Sequence, residues 1–158
     1  MTNPNNATIT TVHNAAFTAG DALKIPTLRI LKDDGNLYDG ADKPTLDQET
    51  ALKMYDTMVF TRVLDERMLA AQRQGRISFY MQCLGEEATT VGSAAALDEQ
   101  DMIMAQYREQ GALRYRGFSL EQFMNQLFSN EKDLGKGRQM PVHYGSKDIY
   151  YMTISSPL

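Results

Sequence analysis

Leu52, Tyr55, Val59 and Val63 fall at helical intervals, just after Thr45 and Gln48 at the spacing of a capping box. The pattern predicts a long amphipathic helix running to about Gln74, with Gly75 as its C-terminal stop. Arg62, Asp65, Glu66 and Arg67 read as its solvated or partner-facing charges. A short apolar connection, ISFYMQCLG, leads into a second helix, EEATTVGSAAAL. The small residues Ala88, Gly92, Ala94, Ala95 and Ala96 predict that this helix is buried and packs closely against another backbone. A polar turn from Asp98 to Asp101 precedes a buried strand, Met102 to Ala105. Ser119 and Gln122 repeat the capping-box spacing ahead of Leu120, Phe123, Met124, Leu127 and Phe128 on one helical face. A long loop with Gly135, Gly137 and Gly145 follows. The last pattern is an alternating run, Ile149, Tyr151 with Met152, and Ile154, which breaks into Ser155-Ser156-Pro157-Leu158.

Upstream of these elements the pattern is different. Residues 1 to about 25 are rich in Asn, Thr and Ala without usable periodicity, and are expected to form a mobile arm. Leu28 and Ile30 alternate before the turn signal Asp34-Gly35 and then Leu37-Tyr38, which predicts a short hairpin or extended strap. The expected division is an arm and strap over 1–44 and a domain over 45–158. Helices alternating with short buried strands give the class as α/β, helix-rich with a few parallel strands. So few strands are thin for such a sheet, which suggests an incomplete unit.

Composition narrows the function only a little. A chain of 158 residues with 42% hydrophobic and 23% charged positions is globular rather than disordered. The net charge of −4 gives no electrostatic reason to expect nucleic acid or an anionic membrane as partner. No apolar run approaches the roughly 18 residues of a membrane span. The single cysteine, Cys83, fits a reducing compartment, and the opening MTNPNNATITTVHNAAF lacks the marks of a leader, so a cytoplasmic location is expected.

Candidate chemistry concentrates in two stretches. In AQYREQG a strand ends in Gln106-Tyr107-Arg108, and ligands of open α/β sheets collect beyond C-terminal strand ends. Arginine offers a rigid fork of donors for phosphate oxygens, to which a phenol adds another; the plainer alternative is a surface ion pair between Arg108 and Glu109. The loop LGKGRQMPVH holds Lys136 and Arg138 between glycines, suited either to a phosphate or to solvent alone. Asp34-Gly35 and Asp39-Gly40 read as turn chemistry rather than metal loops, and Cys83 as a buried structural thiol rather than a nucleophile. No catalytic nucleophile and base stand at recognisable spacing.

Taken in order, RVLDERMLAAQRQGRISFYMQCLGEEATTVGSAAAL, QYREQG, LGKGRQMPVHYG and TISSPL closely resemble the alpha subunit of the branched-chain 2-oxoacid dehydrogenase decarboxylase component. The resemblance runs from about Thr45 to Leu158, and LRILKDDG resembles the N-terminal strap of that subunit. Pyruvate dehydrogenase alpha subunits share the Tyr-Arg and the Gly-Lys-Gly, but usually carry histidine where this chain has Gln110.

The resemblance implies the N-terminal part of a thiamine diphosphate-binding fold. It implies oxidative decarboxylation of a branched-chain 2-oxoacid with transfer of the acyl group to lipoamide. The partners it implies are a beta subunit, in an assembly of two alpha and two beta chains, and a lipoyl acyltransferase. By position, Tyr107 and Arg108 would contact the cofactor's diphosphate and Gln106 would lie beside substrate and cofactor. Ser156 and Leu158 would touch its aminopyrimidine end, and Ser155 and Pro157 would help hold a structural potassium ion. His143 matches a family position for which structural hydrogen bonding is expected. The magnesium motif, Gly-Asp-Gly followed later by Asn, falls beyond Leu158. The expectation is therefore an N-terminal portion that is inactive alone, binds thiamine diphosphate with Mg²⁺ weakly, and self-associates. The alternatives are a non-catalytic interaction module built on the same fold, or a pyruvate-type alpha subunit.

Overall fold

The computed structural model describes residues 13–24 and 26–154. The chain divides into two compact units, Met1–Thr45 and Leu46–Leu158. In the first, a 3-10 turn spans Gly20–Ala22. A tight hairpin follows. Leu31 bridges Leu37 in antiparallel fashion, Tyr38 N–H donates to Ile30 O at 3.0 Å, and the Asp34 carboxylate accepts from Asn36 N–H at 3.0 Å. Asp34 therefore closes its own turn, the role its Asp-Gly sequence suggests. Much of the expected N-terminal arm lies outside the described residues.

The second unit contains α1 (Gln48–Arg73), α2 (Glu87–Ala95), β1 (Ile103–Ala105), α3 (Gln110–Tyr115), α4 (Leu120–Leu127) and β2 (Tyr151–Thr153). The cap of α1 is Asp47, whose carboxylate accepts from Thr50 N–H at 2.8 Å, rather than the Thr45–Gln48 pair expected from spacing. Gly75 ends the helix in the left-handed region at φ 72°, with Arg76 N–H returning to Ala71 O at 3.0 Å. The Ser119–Gln122 capping box forms with both reciprocal bonds present.

The buried face of α1 corrects the sequence reading. Leu52, Tyr55, Val59 and Val63 are all exposed, while Thr57, Thr61, Leu64, Asp65 and Ala71 are buried. Two residues of offset is about 200° around a helix, so these stripes lie on opposite sides. Thr57 and Thr61 tolerate burial because their hydroxyls donate back to Lys53 O and Thr57 O, at 2.7 and 2.8 Å. Helix α2 is only half covered. Val91 and Ala94 are buried, and the close backbone approach is made by Gly111 of α3, where a Cβ would lie 2.5 Å from Thr90 Oγ1.

The centre of the core is aromatic. Phe123 is fully buried and meets Phe118 and Tyr144 edge-on, with ring centroids 4.9 and 5.0 Å apart. β1 and β2 form a two-stranded parallel sheet, in register Ile103↔Tyr151, Met104↔Met152 and Ala105↔Thr153. Helix-rich packing around a small parallel sheet is the α/β class that the alternation of elements predicts. No described helix is long and apolar enough to cross a membrane.

Candidate functional site

Parallel pairing puts the C-terminal ends of β1 and β2 side by side, because Ala105 and Thr153 are partners. The chain leaves this edge through Gln106, Tyr107 and Arg108 before α3 begins at Gln110. Gln106 is exposed, while Tyr107 and Arg108 are half-buried. The three predicted residues thus share one strand end. Ser155, Ser156, Pro157 and Leu158 lie outside the described residues.

The Arg108 guanidinium pairs with Glu86, Nη1 to Oε1 at 3.1 Å, with both side chains close to half exposed. The expected ion pair with Glu109 does not form. Instead the Glu109 carboxylate accepts from the main-chain N–H of Arg108 at 2.8 Å. The difference is geometric: Glu109 caps its neighbour's backbone, leaving the guanidinium to Glu86 at the start of α2. Arg108 therefore presents a forked cation at the sheet edge, with one half-solvated carboxylate as the competing anion, while the half-buried Tyr107 beside it packs partly against the core. That donor set fits a phosphate group.

Behind the turn lies a buried polar network. Asp65 of α1 is 1% exposed, not solvated as its charge suggested. Its carboxylate accepts from Tyr80 OH at 2.7 Å and from Cys83 N–H at 2.6 Å, and these two bonds make burial tolerable. Burial still raises its pKa above the ordinary carboxylate value, opposed by the same two bonds. Cys83 is fully buried, as a structural thiol should be, with Sγ 3.0 Å from Arg108 O and 2.7 Å from Gln110 Oε1. Gln110 Nε2 donates to Met81 O at 2.9 Å. Sequence reasoning missed Glu86, Asp65 and Gln110 as neighbours of the site. They sit in different elements, and no spacing within the chain relates them.

The glycine-rich loop is built differently. The buried carboxylate of Asp133 accepts from Gly137 N–H at 2.8 Å, and Gln126 holds the far end through Met140 O and Val142 N–H at 2.7 and 3.1 Å. Lys136 and Arg138 are exposed. His143 is buried, with Nδ1 3.1 Å from Pro141 O, in keeping with structural hydrogen bonding. An open groove of about 840 Å³ runs along β2, lined by residues that include Met102, Leu134, Gly145, Lys147, Met152 and Thr153. Among the described residues no three His, Cys, Asp or Glu side chains are grouped to hold a metal.

Comparison with known proteins places the chain in a defined class. The family model for the dehydrogenase E1 component matches residues 55–158, and the chain belongs to this family. More particularly, it is similar to the alpha subunits of 2-oxoisovalerate dehydrogenase. It is 50% identical over 151 residues to the mitochondrial subunit alpha of Caenorhabditis elegans, covering 91% of this chain and 35% of that protein. With the mitochondrial subunit alpha of Bos taurus it shares 52% over 134 residues, 85% of this chain and 30% of the relative. With the mitochondrial subunit alpha 1 of Arabidopsis thaliana the identity is 50% over 135 residues, 85% and 29% of the two chains. The chain thus spans about a third of the length of the curated relatives it matches. These relatives correct the cytoplasmic expectation, since all three are named as mitochondrial. That expectation rested on one cysteine and on the composition of the opening residues, neither of which determines a compartment.

Proposed function

We propose that this chain is part of the alpha subunit of a mitochondrial branched-chain 2-oxoacid dehydrogenase and provides one wall of its thiamine diphosphate site. The observation that carries the reading is the parallel register, which sets Tyr107 and Arg108 at a shared strand end with a half-exposed guanidinium. Arg108 offers parallel N–H donors and a fixed positive charge to the diphosphate, and Tyr107 adds a phenolic donor. Gln106, exposed beside them, would lie next to cofactor and substrate. When bound, thiamine diphosphate supplies the nucleophilic carbon that makes loss of carbon dioxide from a 2-oxoacid feasible. The chain's own residues bind and orient it. Magnesium on the diphosphate, and potassium held with help from Ser155 and Pro157, complete this reading. So do Ser156 and Leu158 at the aminopyrimidine end, a beta subunit, and an acyltransferase whose lipoyl group receives the acyl product.

Calorimetric titration of the chain with thiamine diphosphate and with thiamine, each with Mg²⁺, tests the diphosphate seat. Weak binding of thiamine diphosphate without detectable binding of thiamine is the expected result. Equal binding of both compounds, or binding of neither, contradicts it.

A further inference from the structure

We propose that the Cys83 thiol is a positioning group for the Tyr107–Arg108 turn, its one proton shared between the main-chain carbonyl of Arg108 and Gln110 Oε1 in a frame held by Asp65. The proposal deepens the diphosphate reading and rests on it for the identity of the ligand. The Arg108 carbonyl lies one residue before Glu109, the N-cap of α3, and so precedes the helical ladder. Cys83 Sγ stands 3.0 Å from it, in a region where the thiol is 0% exposed. The second acceptor, Gln110 Oε1 at 2.7 Å, is fixed in orientation because the same amide's Nε2 donates to Met81 O at 2.9 Å. The thiol's one proton serves both acceptors in a three-centre bond, which links the turn and the first residue of α3 through a single sulfur.

The sulfur in turn cannot drift. Its own main-chain N–H is held by Asp65 Oδ2 at 2.6 Å, and the other carboxylate oxygen holds Tyr80 at 2.7 Å. Asp65 belongs to the 26-residue helix α1. The chain of contacts therefore runs from the longest helix, through residues 80–83, to the backbone of the arginine that meets the diphosphate. Burial and the nearby Asp65 charge raise the thiol's pKa, which keeps the donated proton on sulfur. Full burial also removes this cysteine from surface oxidation and modification.

The test compares the wild-type chain with Cys83→Ala and Cys83→Ser, using hydrogen exchange of residues 106–110 and calorimetry with inorganic pyrophosphate. Loss of one buried bond to a main-chain acceptor should raise exchange in this segment about tenfold and weaken pyrophosphate binding by a similar factor. Serine, which keeps a donor, should restore most of both effects. Unchanged exchange in Cys83→Ala, or a serine variant that behaves like alanine, overturns the proposal. If the exchange pattern appears but no form binds pyrophosphate, the positioning role stands and the diphosphate reading fails. Should Cys83→Ala not fold, infrared spectroscopy of the unmodified chain decides, because its one cysteine gives one S–H stretching band. A band displaced to lower frequency supports the donated bond, and a band at the free-thiol position overturns it.

Discussion

Asp65 is the residue on which the back of the site depends, because its two oxygens satisfy two groups that have no access to water. Asp65→Ala strands the Tyr80 hydroxyl and the Cys83 N–H together. The expected loss is about 2–4 kcal/mol in urea unfolding. The same carboxyl gives a pH dependence with a defined sign. Its folded pKa lies above the ordinary value of about 3.9, so between the two the folded chain holds a proton that the unfolded chain has released. Stability from this group is greatest below that window, falls as pH rises through it, and is level above. Urea midpoints of wild type relative to Asp65→Asn should therefore decline as pH rises above about 4. Glu86 offers a milder test. Its pair with Arg108 is half solvated and worth at most about 1 kcal/mol, so Glu86→Gln should tighten pyrophosphate binding by no more than roughly fivefold.

Among the elements, those whose signals are local were legible in the sequence. The Ser119–Gln122 box, the Gly75 stop and the Asp34-Gly35 turn each form within a few residues, and each stands where the spacing puts it. Helix α1 was legible as a helix but not in its orientation. Threonines 57 and 61 bury themselves by bonding their own backbone, and Asp65 by bonding another segment, so the inward face carries polar letters. Helix α3 was missed, being only six residues long with no side-chain cap. Long-range contacts such as Glu86–Arg108 and Cys83–Gln110 leave no trace in spacing at all. The seating of β2 rests on Gly145, where a Cβ would overlap Thr153 Oγ1 and fall 3.2 Å from Thr153 N. Because backbone as well as side chain must give way, Gly145→Ala should cost about 2–3 kcal/mol, seen as a lowered thermal midpoint.

At the scale of the whole molecule, Leu52, Tyr55, Val59 and Val63 form an exposed apolar stripe along α1. Such a stripe favours association. Sedimentation of the chain should show concentration-dependent self-association that Tyr55→Lys with Val59→Lys reduces without lowering the thermal midpoint. On the proposed reading, the strand end rather than the glycine loop receives the diphosphate. Both places carry an arginine, Arg108 and Arg138, and both are accessible. Pyrophosphate affinity measured by calorimetry for wild type, Arg108→Gln and Arg138→Gln separates them most directly. Binding should drop at least tenfold in Arg108→Gln and stay unchanged in Arg138→Gln. Loss of binding in Arg138→Gln with Arg108→Gln unaffected would contradict it.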